Sequence, residues 1–285
     1  MLMFLRRSIF ALLLISGVIV PRVGSAQDAV SVACQKHWEE FSSRYVPSSP
    51  GDYEGMLSAW KSVGKECAEL PTWHARLGLI YYYLDRPKEA QEAIASLSAS
   101  DQRVPLVQLV QLLIDISVVT DGREPTKAEL ESLEQELIAF LKANPREIVG
   151  QSLLADVMGG LGRHDIAIAL YENALSSMKP TPRAAGIMRN LTVSYEAVGR
   201  FQEAYDLAGK ALAYDRGLTT DLGFMCATAR SQASVGRIGG AQDTLTILAL
   251  KKPEVESQPQ FKAAIEFVKE KSRAAKQQAG QSPAR

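Results

Sequence analysis

A glycine followed by arginine returns in this chain at a constant interval. Gly162, Gly199 and Gly236 stand 37 residues apart, each is followed by Arg, and each has Ala five residues on, at Ala167, Ala204 and Ala241. A fixed period in this range marks a supersecondary unit repeated along the chain. The positions before each glycine recur as well: Leu154-Ala155 and Met158 precede Gly162, and Leu191-Thr192 and Tyr195 precede Gly199. Small residues at fixed places let two helices approach closely, and a glycine closing the first helix takes a left-handed cap that alanine resists. One such helix pair cannot bury its apolar stripe alone, so pairs stack into a solenoid.

These residues resemble the tetratricopeptide repeat, whose unit carries an aromatic, Leu-Gly/Ala, Tyr, Gly, Ala, aromatic, Ala and Pro at characteristic offsets. The fullest match lies upstream in TWHARLGLIYYYLDRPKEAQEAIASL, residues 72–97, with Trp73, Leu77-Gly78, Tyr81 and Ala90 in place and Asp85 where the turn glycine would be. Trp73 sits one residue early, and Ala208 replaces the second aromatic that Tyr171 supplies in the preceding unit. The resemblance implies an all-α fold: an α-solenoid, a superhelix of antiparallel helix pairs A and B. Gly78, Ala90, Ala155 and Ala167 are its close-contact positions, and Tyr81, Tyr171 and Tyr195 fill the space beside them.

The remainder parses on the same plan. Residues 28–45 and 52–68 read as a first pair joined by VPSSPGD, and residues 104–120 and 127–145 as a third pair joined by DGREPT. In 260–278, Phe261, Ala264, Ile265 and Val268 fall at helical spacing, which suits a cap with one apolar and one solvated face. Lys262, Lys269, Lys271, Arg273 and Lys276 give that cap a basic bias. The expected organisation is about six pairs and a cap over 27–275, with a disordered tail at 276–285.

Residues 1–26 read as a leader. MLMFLRR is a positive start, SIFALLLISGVIV an apolar run shorter than a membrane span, and Gly24 and Ala26 suit cleavage after Ala26. Export to the periplasm or outside is expected, with no stable membrane span after processing; retention of the segment as an anchor is the alternative. Without these residues the chain has 29 basic and 32 acidic side chains, a net charge of −3. Nothing in that balance suggests a nucleic-acid partner.

An antiparallel first pair brings Cys34, near the start of its first helix, beside Cys67, near the end of its second. In an oxidising compartment this favours a disulfide, while Cys226 reads as a packed small hydrophobe. Motifs for chemistry are missing. His37, His74 and His164 are scattered, HWEE lacks a second metal-binding His, and there is no GxSxG elbow or phosphate loop. No metal, cofactor or catalytic set is expected.

In the family that the chain resembles, helix A residues line a concave groove that takes peptides or partner helices. That likeness places Tyr82, Tyr83, Ser152, Asp156, Arg189, Glu196, Cys226 and Arg230 on the groove. The carboxylate-clamp subtype of the family is not matched. The expected function is a non-catalytic scaffold of the cell envelope that binds another envelope or secreted protein or peptide. Two alternatives stay open: a secreted hydrolase or carbohydrate-acting enzyme, which would need clustered acids in the groove and would gain from Asp156 and Glu196 facing each other across a deep pocket, and a lipid or small-ligand carrier, marked by an apolar tunnel.

Overall fold

The computed structural model describes residues 26–44, 50–119, 123–178 and 184–281, and every regular element among them is helical. In chain order they are α1 (Ala26–Arg44), α2 (Pro50–Ser62), α3 (Gly64–Cys67), α4 (Pro71–Tyr83), α5 (Pro87–Ala95), α6 (Pro105–Val119) and α7 (Lys127–Ala143). There follow α8 (Ile148–Gly160), α9 (His164–Ser176), α10 (Ala185–Ala197), α11 (Phe201–Tyr214), α12 (Leu222–Ser234), α13 (Ile238–Lys251) and α14 (Pro259–Gln281). Among the described residues, no helix is long and apolar enough to cross a membrane. The leader expected at residues 1–26 lies outside the described residues apart from Ala26, which opens α1. Parts of the VPSSPGD and DGREPT connections, residues 45–49 and 120–122, also lie outside them.

The recurring Gly-Arg-x3-Ala is a turn and a helix start in one. Gly162, Gly199 and Gly236 have φ of 74°, 78° and 82°, the left-handed region, and Asp85 takes the same conformation at 60°. Each closes its helix with the two reversed bonds of a Schellman motif. In the second of the 37-residue units, the Gly199 N–H donates to Glu196 O at 3.0 Å and the Arg200 N–H to Tyr195 O at 2.9 Å. The Arg N–H at 163 and 237 makes the same long reach to Met158 O and Gln232 O, and Arg86 reaches Tyr81 O. The Arg then caps the next helix with its backbone. Its carbonyl accepts the first helical bond, from Ala90, Ala167, Ala204 and Ala241 in turn. All four alanines are fully buried, because each sits where helix B touches helix A. Gly78 is small for the same reason: a Cβ there would stand 3.2 Å from both Ala90 O and Val110 Cγ1.

Two compact units divide the chain, the division falling between Gln151 and Ser152 within α8. In the N-terminal unit, α4 packs against α2, α5 and α6, and α6 also packs against α5 and α7. Residues 105–119 are apolar around most of the helix, as the centre of such a layer requires, and Leu109, Leu113 and Ile116 are buried there. The expected single helix over 52–68 is broken. It ends at Ser62 and resumes for one turn as α3, where Gly64 passes against the Trp73 ring.

In the C-terminal unit the stacking is regular. Helix α10 packs on α9, α11 and α12, and α12 packs on α11, α13 and α14. Its core joins Met188, Phe224, Met225, Leu245 and Leu248 with Phe261, Ala264 and Val268 of α14. The cap expected over 260–278 is thus a helix packed on the last repeat. It runs on to Gln281, through residues 276–281 where a tail was expected.

Candidate partner-binding face

The helices A of the C-terminal unit carry a polar row. It begins at Asp156 on α8, which accepts hydrogen bonds from Tyr171 Oη on α9 and, at 2.5 Å, from Asn190 Nδ2 on α10. Three helices are tied at one carboxylate oxygen. Burial pushes this carboxyl up to about 6, against Tyr171, Arg189 and Asn190, which favour its charged form. Burial and the neighbouring carboxylate raise the Tyr171 phenol.

Further along α10, Glu196 meets Arg230 of α12 through two parallel bonds, Nε to Oε1 at 2.7 Å and Nη2 to Oε2 at 2.9 Å. Both side chains are mostly covered, at 19% and 14% exposure for Arg230 and Glu196. Fork-on-fork pairing of this kind is the strong form of the contact, and it raises the Arg230 guanidinium above its ordinary range. Asp156 to Asn190 and Glu196 to Arg230 are both steps of 34 residues. That is the 37-residue period less about one helical turn, so each pair joins a position on one helix A to the residue a turn before its equivalent on the next.

Arg189 lies deeper. It was expected on the groove, but only 6% of it is exposed, and its Nη1 donates to Asp221 Oδ2 at 2.6 Å. The other oxygen of Asp221 accepts from the Phe224 N–H at 2.9 Å and so caps α12. A partner reaching Arg189 would have to break a buried ion pair and a helix cap, so Arg189 serves the stack and is not a surface contact. Asp221 is not among the sites read from the sequence, although its signal is there: an Asp directly before an apolar helix start. Burial pushes the Cys226 thiol up to about 12, and the residue is fully covered, a packing group and not a reactive one. Ser152 is buried too.

The two tyrosines lie in the N-terminal unit. Tyr82 is 3% exposed, and Tyr83 stacks on Tyr53 with ring centroids 5.4 Å apart and meets Tyr82 edge-on at 5.2 Å. Burial raises the Tyr83 phenol well above its usual range. They join α4 to α2 and offer little surface.

That unit has its own polar centre. Arg76 is buried with its guanidinium carbon 5.0 Å from the Trp38 ring centre and 5.8 Å from that of Trp60, and it donates to Gln35. Burial draws its pKa down to about 10. Cys34 and Cys67 are bridged with Cα atoms 5.9 Å apart, fastening α1 to α3. Both ring nitrogens of His74 stand 2.9 Å from a backbone carbonyl, Ala93 on one side and Ala68 on the other. His74 therefore pins α5 to the segment after α3.

Asp156 and Glu196 facing each other across a deep pocket would favour the enzyme alternative. Each is instead engaged by its own partners, Asp156 by Tyr171 and Asn190, and Glu196 by Arg230.

The sequence matches no family model and no curated protein. Solved structures do share the fold. The tetratricopeptide-repeat protein TTC0263 of Thermus thermophilus is 24% identical over 70% of this chain and 98% of its own, with a TM-score of 0.51. PilW, a type IV pilus biogenesis factor, is 13% identical over 83% and 98%, also at 0.51. A chain of the APC/C hetero-tetramer Cut9-Hcn1 is 14% identical over 95% of this chain at 0.59, and this chain spans 48% of it. Paired helices, Schellman turns closed by Gly-Arg, the buried alanines that follow them and these likenesses together give the chain the tetratricopeptide-repeat fold.

Proposed function

We propose that this chain is an exported, non-catalytic scaffold that receives a peptide or a partner protein of the cell envelope on the helix A face of its C-terminal unit. The observation that carries the reading is the half-covered polar row of Asp156, Asn190, Glu196 and Arg230, held rigid by bonds between repeats. A surface whose hydrogen-bonding groups are already fixed loses little entropy on binding. Glu196 and Arg230 neutralise each other and Asp156 is held by the neutral Tyr171 and Asn190, so recognition there runs mainly through hydrogen bonds and shape and depends weakly on salt. The buried Cys34–Cys67 bridge and the leader read from the sequence support export, since disulfides persist in oxidising compartments. Fold-level analogy adds to this: one matched structure is a pilus biogenesis factor and another is a chain within a hetero-tetramer.

The test is a photo-crosslinking residue placed at Val193, half-buried on α10 between Asn190 and Glu196, in the full-length protein in its own host. A control carries it at Lys210, exposed on α11. A discrete protein adduct at 193 that is missing at 210 is expected, weakened when Arg230 is changed to Ala. No adduct at 193, or equal adducts at both sites, overturns the reading.

A further inference from the structure

The two units carry opposite charge. From residue 27 to Gln151 the chain has 12 Lys and Arg against 19 Asp and Glu, a net −7; from Ser152 to Arg285 it has 17 against 13, a net +4. The whole positive surplus lies beyond residue 250, where eight basic residues face four acidic ones.

Much of it sits on a helix whose far half buries no side chain among the described residues. Helix α14 is 23 residues long, and its buried side chains, Phe261, Ala264 and Val268, all belong to the first half. Beyond Val268 the helix continues to Gln281 with Lys269, Lys271, Arg273 and Lys276 exposed. A helical stretch shorter than about 12–15 residues is marginal in water without tertiary contacts. Such a segment is stabilised by docking, and its charge sets the kind of surface it meets. No large apolar residue follows Val268, so the segment lacks what an interfacial membrane helix buries.

We propose that the distal half of α14 docks on the acidic N-terminal unit of a second copy of this chain. The densest acidic run there is on α7, where Glu131, Glu134 and Glu136 follow one another within six residues. Glu131, Glu134 and the exposed Ile138 share one side of that helix, with Lys127, which pairs with Glu131 at 3.5 Å, and Lys142 at its two ends. Donor and acceptor patches differ and both lie on each chain, so two copies can exchange the contact reciprocally or pass it on head to tail, and in either case association grows with concentration. This inference does not rest on the partner-binding reading. That face lies on other helices, α8, α10 and α12.

The experiment is sedimentation velocity on protein purified from the full-length gene, across a concentration series at about 50 and about 300 mM NaCl, bracketing a several-fold change in screening. Concentration-dependent association at low salt, weakened about tenfold or more at high salt, is expected. The variant Lys271→Glu, Arg273→Glu, Lys276→Glu abolishes it with the helical circular dichroism unchanged. The variant Glu131→Lys, Glu134→Lys, Glu136→Lys does the same, and mixing the two variants restores mixed assemblies. A protein monomeric at every concentration and salt overturns the proposal. So does association indifferent to the α14 reversal, and so does binding to phosphatidylglycerol vesicles through α14 without self-association.

Discussion

The two units solve one packing problem by different means. The C-terminal unit uses regularity. Its turns are Gly-Arg with φ near +80°, its helix contacts are alanines at fixed places, and its bonds Asp156–Asn190 and Glu196–Arg230 share one step of 34 residues. The N-terminal unit uses particular fastenings. It has a disulfide, a buried Arg76 set against a pair of touching tryptophan rings, a histidine facing two carbonyls, and an Asp at its left-handed turn. A repeat inside an array gains an interface on each side, whereas a less regular end must find stabilisation within itself. All three tryptophans, Trp38, Trp60 and Trp73, lie in the N-terminal unit. Tryptophan fluorescence therefore follows that unit alone, while circular dichroism follows both.

The largest effect is expected from Asp221→Ala. It removes the Asp221 carboxylate that the buried Arg189 donates to, and with it the cap of α12, at about 3–5 kcal/mol. In denaturant, circular dichroism should show an early transition while the fluorescence midpoint holds. If both shift together, the two units do not melt independently and the comparison breaks.

The mirror experiment is the double change Cys34→Ala, Cys67→Ala. Opening a bridge between residues 33 apart in sequence costs about 3–4 kcal/mol on the loop-entropy account. Here the fluorescence midpoint should fall and the C-terminal transition should stay. Reducing agent should reproduce the shift once the protein is unfolded enough to admit it, because both cysteines are buried.

Asp156→Asn sharpens the comparison by pH. The carboxyl is raised to about 6 from 3.8, so the folded state holds its proton where the unfolded state has lost it. Stability from this group is present below about pH 4 and lost as pH rises through about 6. The Asn variant should be more stable than the parent by about 1–3 kcal/mol at pH 7 and equal to it near pH 4. The gain belongs to the C-terminal transition, and a parent whose transition rises with pH between 4 and 7 would contradict the assignment.

The smallest effects concern the turns. Gly199→Ala should cost about 1–2 kcal/mol, because nothing crowds a Cβ there and only the left-handed φ opposes it. Asp85→Gly should gain less than about 1 kcal/mol, since Asp tolerates that conformation better than most residues. Thermal midpoints by the two probes report each change in its own unit.

The repeat was legible because turn chemistry is local. A left-handed residue asks for Gly, and close helix contact asks for Ala, so both requirements appear as residue types at a fixed spacing. The bridge was legible because a hairpin fixes which helix ends meet. The N-terminal pair was read less well: the break at Gly64 depends on where Trp73 packs, a contact that no local pattern encodes. The candidate face was read least well. Arg189 and Asp156 occupy groove positions by offset, yet the offset does not say whether a charged group faces outward or toward the next repeat.

By itself the sequence determined the helical pairs, their period and their turns, because these follow from backbone conformation and from the size of a few side chains. Only the tertiary structure decided which charges are paired inside. An ion pair such as Arg189–Asp221 forms when stacking brings two distant residues within 2.6 Å, and burial makes that pairing obligatory.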